Sequence, residues 1–147
     1  MERLKISTKT LLVHVAVDDI VYVKADGNYC DLVLINGRSH KMTFQLHYFE
    51  EKFKLLRHHA DWFIRVGRSL IVNKEYVQMI DLVEQTISFG GKHLVRPPKS
   101  DNLHWRPGQD EGNSPNKDIF TVNVTKDALK ILKEQLHKIK EEGKNEQ

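Results

Sequence analysis

Apolar and polar positions alternate along most of the first ninety residues, and this pattern predicts a chain made mainly of short β-strands. Two turn motifs interrupt the alternation. Asn36-Gly37 is the strongest short-range hairpin signal, and the segment Asp26-Gly27-Asn28 tolerates positive φ. The predicted strands lie at about 3–7, 11–15, 20–23, 29–34, 39–42, 62–73 on both sides of a bend or bulge at Gly67, 76–82 and 86–89.

A helical period first replaces the alternation after residue 43. Leu46, Phe49 and Phe53 fall at i, i+3 and i+7, which is the spacing of one face of a helix. A threonine directly before such a run is a suitable N-cap. The pattern therefore predicts a short helix over about 44–56 with Thr43 as its N-cap.

The helical period returns near the end of the chain. A strand is predicted at 119–124, and Thr125 is expected to cap the helix that follows. The apolar positions of that helix are Leu129, Leu132, Leu136 and Ile139. They span under two heptads, which favours packing against the helix's own domain over a coiled coil.

The segment 90–117 differs in composition from the rest of the chain. It holds all four prolines and shows little apolar periodicity, which predicts a long loop or insertion. The last five residues, 143–147, are expected to form a disordered tail. The predicted organisation is one domain, 1–142, which carries an insertion at about 90–117.

Composition limits the function only weakly. The chain has 39% hydrophobic residues, 29% charged residues and a formal charge of +3, which permits a polyanionic partner without requiring one. Cys30 is the sole cysteine, so an intramolecular disulfide and a zinc finger are excluded. A signal peptide and an apolar run of about 18 residues are both absent, and we expect a cytoplasmic protein.

Three stretches resemble a known family. They read DDIVYVKADGNYCDLVL, TFQLHYFEEKF and, most specifically, FIRVGRSLIVNKEY from Phe63 to Tyr76. The last contains an aromatic residue, a basic residue, Arg-Ser, a set of aliphatics and Val-Asn in the order typical of the LytTR DNA-binding domain. That domain is the output module of LytR- and AlgR-type bacterial response regulators. The resemblance covers about 11–89 and resumes near Phe120.

The resemblance implies a mainly β fold, a β-rich α+β arrangement of three small antiparallel sheets with short helices and a C-terminal helix. It also implies a sequence-specific transcriptional regulator that reads double-stranded DNA through loops in the major groove, with two copies on repeated half-sites. No cofactor is expected. The expected DNA-binding residues are Asn28, Tyr29, Arg65, Arg68, Ser69, Lys74 and Lys126.

Each assignment has a simpler structural alternative. Asn28 is ordinary turn chemistry, and Arg65 lies on the opposite strand parity from Arg68 unless Gly67 interrupts the strand. Asn73 is expected to be structural. Most family members carry a receiver domain, so we expect this chain to answer to an unknown signalling partner in place of one.

Functions other than DNA binding are also open. An adaptor or inhibitor that binds protein on the same scaffold, coupled to a membrane partner, is the alternative, since fold alone does not fix function. No enzyme activity is expected, because no glycine or oxyanion pattern surrounds Cys30 and a lone cysteine is usually a small buried apolar residue. His58 and His59 lack further ligands at a familiar spacing, so no metal site is expected.

Overall fold

The computed structural model describes residues 2–91, 94–95 and 119–145, with side chains up to residue 138. Most of the predicted insertion at 90–117 and the last two residues lie outside these ranges. The elements are β1 (Arg3–Ser7), β2 (Leu12–Ala16), β3 (Ile20–Asp26), β4 (Tyr29–Leu34), β5 (Ser39–Met42), α1 (Leu46–Lys54), β6 (Phe63–Val66), β7 (Leu70–Asn73), β8 (Val77–Asp81), β9 (Thr86–Phe89), β10 (Thr121–Asn123) and α2 (Lys126–Asn145).

The strands form three antiparallel sheets, which confirms the predicted fold class. β1 and β2 make a two-stranded sheet, and β8, β9 and β10 make a three-stranded sheet in the order β10-β9-β8. The central sheet has five strands in the order β5-β4-β3-β7-β6. Its neighbouring strands β3 and β7 pair segments almost fifty residues apart, so the turn at Gly27 and the turn at Gly67 belong to a single sheet.

The middle of the central sheet, β7 and most of β3, is buried on both faces. Along β7, Leu70 and Val72 pack in one cluster with the three-stranded sheet and α2, whereas Ile71 packs in a second cluster with the β1–β2 sheet and α1. This alternation follows from the two-residue period of a strand. Burial on both faces explains why the first four residues of β3 and the first three of β7 are continuously apolar instead of alternating.

A bulge in β3 adjusts this alternation. Ile20 pairs with Leu34 and Tyr22 with Val33, so Val21 is an extra residue on the β3 side. Both Val21 and Tyr22 then face the cluster that contains α2. The Tyr22 hydroxyl donates to the carbonyl of Ile119 at 2.7 Å and thereby ties the chain to the sheet just before β10.

The prediction of Thr43 as a helix N-cap is wrong. α1 begins at Leu46, its N-cap is Gln45 in an extended conformation, and no side chain caps it. The chain entry is fixed instead by apolar contact, because Phe44 packs edge-on against Phe49 with ring centroids 6.0 Å apart. This is the arrangement of a hydrophobic staple, with an apolar residue before the cap packed on the fourth helical residue.

The second helix begins where the sequence predicts. α2 starts at Lys126, and the carbonyl of Thr125 accepts a hydrogen bond from the Leu129 amide at 3.1 Å. Leu129 and Leu132 are fully buried against their own domain and Leu136 is half-buried, as expected; the side chain of Ile139 lies outside the described part. The helix continues to Asn145, so the division at residue 143 stays a prediction.

Candidate nucleic-acid interface

Two turns lie side by side at one edge of the central sheet. The first joins β3 to β4, with Asp26 paired to Tyr29, and the second joins β6 to β7, with Val66 paired to Leu70. They are fixed to each other because the amide of Ala25 donates to the carbonyl of Ser69 at 2.7 Å. The sheet therefore presents residues 26–29 and 65–69 together at this edge, which is formed by the ends of strands and not by an outer strand.

The β3–β4 turn presents Asn28 and Tyr29 to solvent. Lys41 on the neighbouring strand holds this turn: its Nζ lies 2.9 Å from Asp26, 3.3 Å from Asp31 and 5.5 Å from the centroid of the Tyr29 ring. The hydrogen bond from Lys41 lowers the pKa of Asp26, and the hydrogen bonds that Lys41 donates to Asp26 and Asp31 raise the pKa of Lys41. The charge of Lys41 is thus balanced by two carboxylates of the protein itself.

The β6–β7 turn requires its glycine. Gly67 has φ +62°, and a Cβ at this position would lie 3.3 Å from the Cβ of Ala128 in the first turn of α2. A left-handed conformation is easy only for glycine, and the missing side chain lets the turn approach the helix. The contact places Arg68 and Ser69 beside the start of α2.

Arg65 folds back over this turn instead of extending away from it. Its Nε donates to the carbonyl of Gly67 at 3.0 Å, its Nη2 to the carbonyl of Arg68 at 3.1 Å, and its Nη1 to the Glu50 carboxylate at 3.0 Å. The side chains of Arg65 and Glu50 are each 30% exposed. Arg65 and Arg68 do not lie on one continuous strand, because a tight turn at Gly67 separates β6 from β7. The Arg65 side chain binds groups of the protein itself.

Arg68 and Ser69 are exposed at the tip of the same turn. Within the residues that the structure describes, Arg68 has no ion-pair partner. A guanidinium carries five donors in a planar fork. Arg68 is thus free to bind an acceptor pair from outside the protein.

Concave grooves flank the β6–β7 turn on two sides. One lies between this turn, the β3–β4 turn and the start of α1; the other lies between this turn, β10 and the start of α2. Arg68 lines both grooves. The exposed Lys126 begins α2 beside the second groove, where the helix dipole adds partial positive charge, although Asp127 in the same turn offsets part of it.

Lys74 is not brought together with the other predicted residues. It follows the four residues of β7, which separate it from the β6–β7 turn by about 13 Å. Its side chain is only 15% exposed, and its Nζ lies 3.8 Å from Asp61. The structure places Lys74 near the opposite end of the sheet.

Two residues at this edge were missed by the sequence reasoning. Lys24 lines the groove between the β6–β7 turn and α2, and its position two residues before Asp26 on an alternating strand was an available signal. Glu50 binds Arg65 from α1. Its position in the sequence gives no sign of that contact, since the two residues lie on different elements.

The remaining candidate residues have structural roles. Asn73 is fully buried: its Nδ2 donates to the carbonyl of Ile20 at 2.8 Å and its Oδ1 accepts from the amide of Glu75 at 3.0 Å, which confirms the structural assignment. Cys30 is buried, and burial raises the pKa of its thiol, so the reactive thiolate is disfavoured. His59 hydrogen-bonds Glu2 at 2.7 Å.

Two kinds of feature are absent from the described ranges. No group of three or more histidine, cysteine or acidic side chains is placed to hold a metal ion there. Neither helix combines the length and apolar character that crossing a membrane requires.

Comparison with known proteins identifies the family. A search of curated proteins gives no match. A similar solved structure is the LytTr DNA-binding domain of a Bacillus cereus protein assigned as a methyl-accepting/DNA response regulator, with 22% identity, a TM-score of 0.45, and coverage of 67% of this chain and 85% of that one. The family model for the LytTr DNA-binding domain matches residues 11–96, more than half of the chain. The chain therefore belongs to the LytTr DNA-binding domain family.

Proposed function

We propose that this chain is a transcriptional regulator that recognises specific DNA sequences by inserting the β6–β7 turn into the major groove. The observation that carries the proposal is Arg68, which is exposed and forms no ion pair with the described residues, at the tip of a turn that Arg65 braces with hydrogen bonds. The major groove is about 12 Å wide and admits a two-stranded ribbon. A hairpin tip is therefore a suitable reading element.

The roles within the edge follow from chemistry and exposure. The Arg68 fork matches the O6 and N7 acceptors of guanine, the commonest specific contact in the major groove. Ser69, Asn28 and Tyr29 are exposed donors beside it, suited to phosphate or to a neighbouring base edge. Lys126 at the positive end of α2 is suited to phosphate, where it adds affinity and no sequence information.

Lys74 does not belong to this edge, and we leave it out of the proposed contacts because of its position and its low exposure. Lys24 takes its place among the proposed contacts, as a cation that lines the groove between the β6–β7 turn and α2. Occupation of repeated half-sites by two copies stays part of the proposal. It would be visible as a repeated motif in the selected DNA.

The test is selection of bound duplexes from random DNA, followed by affinity measurements on the selected and a scrambled duplex across a salt series. A specific regulator should favour the selected duplex by about 10³-fold or more. The logarithm of its affinity should fall linearly with the logarithm of salt concentration, because phosphate contacts release counterions. Equal binding to both duplexes would rule out sequence recognition. Absence of binding to either would favour the protein-binding adaptor.

A further inference from the structure

The three hydrogen bonds of Arg65 define an internal brace of the β6–β7 turn. The guanidinium joins the Glu50 carboxylate to the carbonyls of Gly67 and Arg68, with all three distances between 3.0 and 3.1 Å. Two of the three bonds end on the backbone of the turn itself. Arg65 therefore fixes the backbone at Gly67 and Arg68, and with it the direction in which the Arg68 side chain leaves the turn.

The brace is anchored because α1 is fixed along β6. Phe63 and Arg65 alternate with Ile64 and so share one face of β6. Phe53 of α1 stacks on Phe63, with ring centroids 3.9 Å apart and planes 6° from parallel. Glu50 lies three residues before Phe53, on the same side of the helix, and meets Arg65 there. The aromatic pair thus sets the distance at which the ion pair forms.

From this arrangement we infer that Glu50 and Arg65 form a positioning pair that determines sequence specificity without contacting DNA. This inference rests on the proposed function, since it concerns the turn that is proposed to read bases. It replaces the expectation that Arg65 contacts DNA directly. Three of the five guanidinium N–H groups are already used inside the protein, and the side chain is aimed back over its own turn.

The two roles of Arg65 predict different losses. A base contact by Arg68 depends on the angle of the turn, whereas contacts from other cations to phosphate tolerate small movements of it. Removal of the brace should therefore weaken binding to the selected duplex more than to the scrambled duplex. The salt dependence should stay the same, because the number of phosphate contacts does not change. A direct phosphate contact by Arg65 would instead contribute equally on both duplexes.

The test uses the full chain with Glu50→Ala, Arg65→Ala and the control Glu51→Ala. Glu51 is the next residue of α1, is exposed, and gives the same change of charge. Glu50→Ala should reduce discrimination between the selected and scrambled duplexes by about tenfold at an unchanged salt slope, and Glu51→Ala should leave discrimination as in the parent. Arg65→Ala should behave like Glu50→Ala. Arg65→Lys should not restore discrimination, because lysine keeps the charge and loses the fork.

Two results of the binding measurements would overturn the inference. One is a Glu50→Ala protein that discriminates as well as Glu51→Ala. The other is an Arg65→Ala protein whose salt slope is shallower by about 1 and whose affinity falls equally on both duplexes, which identifies a phosphate contact. Loss of discrimination in the parent protein itself would instead mark failure of the proposed function, so the two failures are distinguishable.

A measurement without DNA keeps the inference testable if an arginine variant does not fold. NMR order parameters of the amides at 67–69 report the fast motion of the turn. They should fall in Glu50→Ala and remain at the parent value in Glu51→Ala. Glu50→Gln, which keeps an oxygen acceptor for the guanidinium, should give intermediate order and intermediate discrimination. Unchanged order in Glu50→Ala would contradict the inference.

Discussion

The β3–β4 turn and the β6–β7 turn are neighbours at one edge of the central sheet, and their glycines have nearly the same backbone conformation, with φ +61° at Gly27 and +62° at Gly67. Their surroundings differ. The space where a Cβ of Gly27 would lie is open for 4 Å, whereas Gly67 is packed against Ala128 of α2. One turn is joined to the protein through its strands, and the other is also packed against a helix.

The basic side chains of the two turns also differ in how they are paired. Lys41 of the first turn is held by two carboxylates of its own sheet. In the second turn, Arg65 is held by Glu50 while Arg68 is left exposed. A contact residue has to be both exposed and rigidly carried, and the comparison indicates that only the β6–β7 turn offers a cation of this kind. The largest effects of substitution are therefore expected there.

Substitution of Gly27 and of Gly67 by alanine should show the largest difference between the two turns. Alanine in a left-handed conformation costs about 1–2 kcal/mol of folding free energy at either position. Gly67→Ala should cost about 1 kcal/mol more, because the new methyl group presses on Ala128. Urea unfolding of both variants measures this difference. Gly67→Ala should also weaken binding to the selected duplex. Equal losses of stability would mean that contact with α2 does not constrain the turn.

Arg68→Ala is expected to have the next largest effect. It should remove about 1–3 kcal/mol of discrimination at one base pair of the selected sequence, because the guanidinium fork is lost. Arg38→Ala is the matched control: Arg38 is exposed and lies after β4, at the opposite end of the central sheet. Affinities for single-base variants of the selected duplex measure the change. A stability loss in Arg68→Ala without altered base preference would indicate a structural role instead.

The sequence predicted most of the elements, because alternation and turn chemistry are local properties, and the family resemblance indicated the stretches expected to face DNA. The β6–β7 motif was recognised and a bend or bulge at Gly67 was expected; the structure shows that Arg68 and Ser69 lie at the tip of a hairpin there. The role of Arg65 could not be predicted. Strand parity indicates only the face on which a side chain begins, and the turn carbonyls and Glu50 become available to Arg65 only after the hairpin has closed and α1 has packed on β6.

The prediction of Thr43 as a cap is wrong, and Lys74 lies apart from the other predicted residues; each outcome has its own physical reason. Thr43 is a favourable cap by type, but the stacking of Phe44 on the first turn of α1 moves the helix start to Leu46. Lys74 is close to Arg68 in sequence, yet an extended strand moves each successive residue by about 3.3 Å. Lys74 is therefore carried away from the β6–β7 turn by the length of β7, although the two are close in sequence.

Lys126→Ala should have a smaller effect, and one that does not depend on sequence. Loss of one phosphate contact should weaken binding to all duplexes alike and make the salt slope shallower by about 1. Lys138→Ala is the control, since this exposed lysine lies about 18 Å further along the same helix. Affinity for the selected and scrambled duplexes over a salt series measures both. If Lys138→Ala changes the slope as much as Lys126→Ala, the start of α2 has no special role.

The smallest effect concerns the charges of the β3–β4 turn. The hydrogen bond from Lys41 lowers the pKa of Asp26, and Lys24 lowers it further. A carboxyl group with a lowered folded-state pKa stabilises the protein above its usual pKa, and this stabilisation is lost as the pH falls through the lowered value. The loss should therefore occur on the acid side, below roughly pH 4.

NMR titration of the Asp26 carboxyl group measures this pKa directly. In Lys41→Met, which keeps an apolar stem beside Tyr29, the midpoint should rise toward the usual value. In Lys24→Met the rise should be smaller, because Lys24 acts on Asp26 only through its charge. A larger rise of the pKa in Lys24→Met than in Lys41→Met would show that Lys24, which lines the groove between the β6–β7 turn and α2, has the stronger influence on Asp26. The two turns would then share one electrostatic environment, and the contrast between a turn whose lysine is neutralised by its own carboxylates and a turn that carries an exposed arginine would no longer hold.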